Sequence, residues 1–161
     1  MLEVNEENIR NLVHVRELDM KSIDKWVSLN GNGYDIIIPT ELDEYKQFII
    51  DWLPLCPKGT ETVIKDVEKK MKKIAKKNGY LLEEKHVLLM KAREIARIKR
   101  EYANEHDSLV KRADKKFGTS GRGFSYLFEV VDIMQTFLNE TEKDFPKAIS
   151  IYEGKTIRRR V

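Results

Sequence analysis

Between Gly79 and Gly118 the chain contains neither glycine nor proline, and that unbroken run constrains what everything around it can become. Nothing in it stops a helix. Leu88, Ala92, Ile95, Tyr102, Leu109 and Ala113 keep a seven-residue rhythm, interrupted by Lys99 and His106, so the spacing predicts one long helix from near Glu83 to about Lys116. Val87 to Met90 is apolar on every side, which calls for more than one packing neighbour there.

The segment before it is the natural partner. Ile64, Val67, Met71 and Ile74 recur at steps of three and four, the spacing of a coiled-coil seam. Thr60 suits an N-cap, Glu61 lies near the positive end of the helix dipole, and Asn78-Gly79 offers a left-handed stop after Lys76 and Lys77. Thr60 to Phe117 therefore reads as a helical hairpin whose second arm outlasts the first by about four turns. Its far end must either project or be covered by a third helix.

On the N-terminal side, Glu6 to Arg16 reads as a first helix with Ile9, Leu12 and Val13 inward. Asp19 is placed to cap a second, with Ile23, Trp26, Val27 and Leu29 on its apolar face. Two short helices in succession raise the question of a DNA-reading helix-turn-helix, but Lys21 and Lys25 are offset by Glu17, Asp19 and Asp24, which disfavours phosphate contact. Asn30-Gly31-Asn32-Gly33 is a turn, and Tyr34 to Ile38 a strand ended by Pro39. That turn has neither the full dinucleotide fingerprint nor a P-loop lysine followed by Ser or Thr, so no cofactor is expected. Thr40 and Asp43 resemble a capping box opening a helix with Leu42, Tyr45, Ile49 and Trp52 inward. Pro54 to Gly59 is a linker holding Cys56, the one cysteine, which fits a reducing interior.

Beyond the hairpin, Gly118, Thr119, Ser120, Gly121, Arg122 and Gly123 precede another amphipathic segment, with Phe124, Leu127, Phe128, Val131, Met134 and Leu138 on its buried face. Backbone N–H groups at a helix start favour an anion, and Arg122 adds a bidentate donor, so residues 118 to 123 form a candidate anion-binding loop. The competing reading is a hinge that folds the third helix back on the long one. Ile149 to Ile151 alternates, Glu153-Gly154 offers a turn, and Lys155 to Arg160 reads as a returning strand that pairs with Tyr34 to Ile38. The fold class is then mainly α with a small antiparallel β element. An acidic portion, residues 1–57, and a basic portion, 58–161, join as one folded unit.

Charge separates those portions sharply. Residues 1–57 hold five basic and eleven acidic side chains, residues 58–123 nineteen and ten, within an overall net charge of +3. Lys65, Lys69, Lys72 and Lys76 repeat along a face away from the apolar seam. Lys69, Lys72, Lys73, Lys76, Arg93, Arg97 and Arg100 on the hairpin, with Arg122 near one end, make a candidate flank for the phosphate backbone of DNA or RNA. No apolar run approaches the roughly 20 residues that span a bilayer, and the polar, acidic start differs from a secretory leader, so a cytoplasmic protein without membrane contact is expected. His14, His86 and His106 lie too far apart in sequence to suggest a metal site.

One short motif carries a resemblance. Arg100-Glu-Tyr-Ala-Asn-Glu-His106 resembles the active-site motif of HEPN-type ribonucleases, helical proteins that pair two such motifs across a dimer. The resemblance implies His106 as the proton-transfer group and Arg100 as the phosphate-stabilising one, with Glu101 a departure from the family's usual residue. Six residues along a helix leave the two side chains about 120° apart, so they do not converge within one chain. The leading expectation is a non-enzymatic nucleic-acid-binding protein. The rivals are a protein–protein adaptor or inhibitor that dimerises through the long helix, and the helical ribonuclease.

Overall fold

The computed structural model describes residues 2–31, 33–117, 127–144 and 146–153. Helix α1 (Glu6–Trp26) runs into a hairpin of β1 (Val27–Asn30) and β2 (Gly33–Ile36), followed by α2 (Leu42–Trp52) and a 3-10 turn at Leu53–Leu55. Then come α3 (Thr60–Asn78), α4 (Glu84–Phe117), α5 (Leu127–Thr141), a second 3-10 turn at Glu142–Asp144, and α6 (Pro146–Tyr152). The chain is mainly α with a small antiparallel β element, in which Val27 pairs with Ile36 and Asn30 with Gly33.

The hairpin follows its sequence signals closely. Gly79 closes α3 in the left-handed conformation at φ 69°, its N–H donating to the Ala75 carbonyl, the geometry glycine adopts without a Cβ penalty. Gly59 holds the N-cap position, so Thr60 is the first residue of the helix rather than its cap; its hydroxyl donates to the Pro57 carbonyl at 2.7 Å. The second half of α4 is covered as far as Val110. Leu109 and Val110 are buried, and α5 runs back antiparallel along α4. Arg93 of α4 reaches Leu138 and Thr141, while Arg100 reaches Gln135.

Three sequence expectations are corrected. Residues 6–26 form one helix without a turn, so no helix-turn-helix exists there; Asp19 is an interior residue of α1, and Val13 is exposed. The segment just before the Gly31 turn (φ 60°), expected as helix, is strand β1 and pairs with the strand after the turn. Val27 and Leu29 are apolar residues that suit either continued helix or strand, and β pairing across the turn decides between them. Ile149 to Ile151, expected as strand, lies in α6, with Ile149 and Tyr152 buried and Ile151 exposed. The returning strand at 155–160 falls outside the described residues. Smaller shifts follow from register. The capping box of α2 is Glu41 with Glu44, one residue on from the expected pair, and Glu44 also accepts from the Thr40 hydroxyl at 3.0 Å. The inward face of α5 is Val130, Ile133, Met134, Phe137 and Leu138.

The core has an aromatic centre. The Phe48 ring stacks on Phe137 with centroids 4.3 Å apart and meets the edge of Trp26 at 5.4 Å, so a single side chain of α2 joins α1 to α5. Trp52 is fully buried beside it. Asp51, at the end of α2, accepts from the Trp26 indole at 2.8 Å and pairs with Lys25 at 3.0 Å. Burial alone would raise its pKa, but the donors from Lys25, Trp26 and Gln47 outweigh that and hold the carboxyl below its ordinary value.

A second tie is ionic and deeper. Lys99 of α4 and Asp19 of α1 are each 0% exposed, with Nζ 2.8 Å from the Asp19 carboxylate. The same ammonium donates to the Leu55 carbonyl at 2.9 Å and sits 5.3 Å from the Tyr102 ring centroid. The lysine that interrupts the apolar rhythm of α4 is thus a core residue that fastens α1 and the Leu53–Leu55 turn to the long helix. Removing one member strands a buried charge. Asp19→Asn or Lys99→Met alone is expected to lower the unfolding free energy by about 3–5 kcal/mol, and Asp19→Leu with Lys99→Met to recover most of the loss. Urea unfolding curves test this; losses that simply add in the double variant contradict it.

Candidate nucleic-acid interface

Helix α3 has one buried face and one fully solvated face. Thr60, Ile64, Val67, Met71 and Ala75 are buried. At about 100° per residue, Lys65, Lys69, Lys72, Lys73 and Lys76 fall within about 100° of arc whose centre lies about 150° round from the middle of the buried face. All five are exposed, and over their span they extend for about 16 Å at 1.5 Å per residue. The carboxylates of the helix lie at the margins of this sector. Glu68 comes within 3.9 Å of Lys72 in an exposed pair, a geometry worth little in water. Asp66 is turned toward α6, where burial, with Glu94 and Asp66 among the nearby charges, pushes the Tyr152 phenol up to about 12. Lys70 borders the sector on that side, its Nζ 4.2 Å from the centre of the Tyr152 ring.

From Lys69 to Lys77 the sequence holds six lysines and no acidic residue, and all six are exposed. Lys69, Lys73 and Lys76 form no ion pair among the described residues. The sector therefore presents ammonium groups whose counter-ions must come from outside. Lys65 belongs to it as fully as Lys69 does, although the expected site began at Lys69; helical spacing alone identifies it.

The arginines of α4 are placed differently. Arg93 is 2% exposed; its Nη1 donates to the Leu138 carbonyl and the Thr141 hydroxyl, both at 2.7 Å, and Nη2 lies 3.3 Å from Glu153. Arg97, 35% exposed, is held by Glu94 and lies 3.7 Å from Glu153. Arg100 donates to Gln135 at 2.7 Å and stands 3.6 Å from Glu101. A two-helix hairpin would leave this side of α4 open, but α5 packs over it and Glu153, just past α6, reaches its arginines. Arg93, Arg97 and Arg100 thus tie α4 to its neighbours and do not extend the lysine flank. Arg97 also borders an open cleft of about 270 Å³ shared with Glu101, Glu105 and Tyr102, an acidic setting unsuited to phosphate. The expected anion-binding loop, residues 118–123 with Arg122, lies outside the described residues.

The structure does not bring Arg100 and His106 together. Arg100 faces α5, whereas His106 is 1% exposed against Tyr102, ring centroids 4.2 Å apart. Neither His106 nitrogen has a hydrogen-bond partner among the described residues. Burial, helped by the nearby Lys99 charge, pushes its pKa down to about 4. A neutral imidazole without access to solvent has no route to an RNA 2′-hydroxyl. Cys56 is similarly quiet, its thiol pushed up to about 12 chiefly by burial, which suppresses the nucleophilic thiolate. Among the described residues no group of three His, Cys, Asp or Glu side chains could hold a metal ion, and no helix is long and apolar enough to cross a membrane.

Compared with known proteins, the chain matches no family model, no curated protein and no solved structure.

The placement of His106 has a measurable consequence. Its folded pKa, about 4, lies below the unfolded value of about 6.5, so the unfolded chain binds the proton first. Its contribution to stability is complete above about pH 6.5 and is lost as the pH falls toward 4, by about 3 kcal/mol in all. His106→Leu is expected to flatten that part of the pH dependence in chemical unfolding between pH 7 and 4.5. An unchanged slope in the variant places the imidazole in water instead.

Proposed function

We propose that the protein is a non-enzymatic intracellular binder of nucleic acid, holding the phosphate backbone through the lysine sector of α3. One observation carries this reading: five exposed lysines on the face opposite the core, with the carboxylates of the helix kept to the margins. Side chains of this kind release condensed counter-ions when they meet a polyphosphate, and that release drives binding. Lysine suits the role because its ammonium is a compact charge on a flexible stem, able to follow phosphates without a fixed geometry.

Self-association through α4 has less support, because no large hydrophobic side chain of α4 is exposed among the described residues. The seam that would meet a second copy is filled by α2, α3 and α5. A ribonuclease built on Arg100 and His106 has no support in the geometry either.

Contact with about four phosphates gives a slope of log K against log salt near −3.6 on duplex DNA. Raising salt from about 50 to about 200 mM should then weaken binding roughly a hundredfold. Lys72→Ala with Lys76→Ala should reduce the slope by about 2 and leave the thermal melt unchanged, since both side chains are solvated. Fluorescence anisotropy against labelled DNA and RNA at several salt concentrations provides the measurement. Binding that ignores salt, or a double variant with the parent's slope, rejects the reading.

A further inference from the structure

The same sector also says which form of nucleic acid it suits. Residues 60–78 contain no aromatic side chain. Of the rings near the helix, Tyr152 is buried beneath Lys70, and Tyr80, just past the C-terminus, is half-buried with its hydroxyl shielded from solvent. Proteins that hold single strands combine positive charge with rings on which unstacked bases lie, each worth roughly 1–3 kcal/mol; α3 offers charge alone. Apart from lysine, which can also reach guanine, base edges are read chiefly by the planar, bidentate side chains of Arg, Asn and Gln. None of these occupies the sector, and Asn78, at the end of the helix, turns its amide back to the Ile74 carbonyl at 2.8 Å.

What remains is a band of ammonium groups on flexible stems, carried over about 16 Å of helix. A duplex presents one phosphate per about 1.7 Å of its axis, a single strand one per about 3.4 Å. The duplex thus sets twice the charge against the band and is already stiff. A single strand must be ordered along the band at an entropic cost, with no stacking to offset it. We infer that the α3 sector takes double-stranded nucleic acid in preference to single strands, and without regard to base sequence. This rests on the phosphate-binding reading above and narrows its ligand.

The test compares four probes on the intact protein at about 100 mM salt: a short DNA duplex of mixed sequence, each of its strands alone, and a duplex of shuffled sequence. The duplex is expected to bind about five- to tenfold more tightly than either strand, from the larger slope per phosphate of the duplex, and the shuffled duplex as tightly as the first. Lys69→Glu with Lys73→Glu should abolish the difference by removing duplex binding, while circular dichroism stays that of the parent. A strand that binds as well as the duplex overturns this inference and leaves phosphate binding standing. A shuffled duplex that binds more weakly overturns the sequence independence. Failure of all four probes to bind overturns both this inference and the reading beneath it.

Discussion

A lysine and an aspartate held together without water determine how this molecule is assembled. Lys99 lies midway along the longest helix, and Asp19 is the only carboxylate that approaches its ammonium within ion-pair distance among the described residues. The Leu55 carbonyl accepts a hydrogen bond from the same group. Burying such a pair adds little net stability over hydrocarbon, since desolvation offsets the attraction. What it adds is register. The apolar face of α1 supplies few fully buried side chains, chiefly Leu12, Val15 and Trp26, and greasy contacts of that kind tolerate sliding. An ammonium that must meet one carboxylate and one carbonyl does not.

The same economy governs the rest of the positive charge. Along the middle of α4 the cations are drawn inward, Lys99 to Asp19, Arg93 to Leu138, Thr141 and Glu153, Arg97 to Glu94 and Glu153, Arg100 to Gln135 and Glu101, while Lys85, Lys111, Lys115 and Lys116 toward its ends are exposed. The inward contacts bring α5, and Glu153 just past α6, to the long helix. Helix α3 lies at the outside of the assembly, covered on one face only, and its lysines meet solvent. Two helices with similar basic content thus have opposite roles. One uses its charge to hold the protein together, and the other carries charge that is not neutralised internally.

Much of this architecture was legible in the sequence because the signals were local and redundant. Gly79 and the absence of breakers up to Gly118 set the hairpin, and the three-four spacing of Ile64, Val67 and Met71 set its seam. The lysine face of α3 followed from the same periodicity. The contacts of the α4 arginines were not legible because spacing along one helix does not reveal how many neighbours cover it. Arg93 was placed on the flank, and Lys99 was only an interruption of the apolar rhythm, because their partners, Glu153 and Asp19, are distant in sequence. The α1–β1 boundary was illegible for a related reason. Trp26, Val27 and Leu29 suit helix or strand equally, and the choice depends on pairing across the Gly31 turn. At His106 the interruption of an apolar rhythm marked a buried imidazole, which sequence alone cannot distinguish from a reactive one.

The division of cations into structural and available sets is open to one direct measurement. Amine-reactive labelling followed by mass spectrometry reads the accessibility of every lysine, with and without a DNA duplex. Lys65, Lys69, Lys72, Lys73 and Lys76 should label readily in the free protein and become protected by the duplex. Lys21 and Lys46, exposed on other helices, should label equally in both states, and Lys99 in neither. Protection spread evenly over the surface, or a Lys99 that labels as fast as Lys69, contradicts the account.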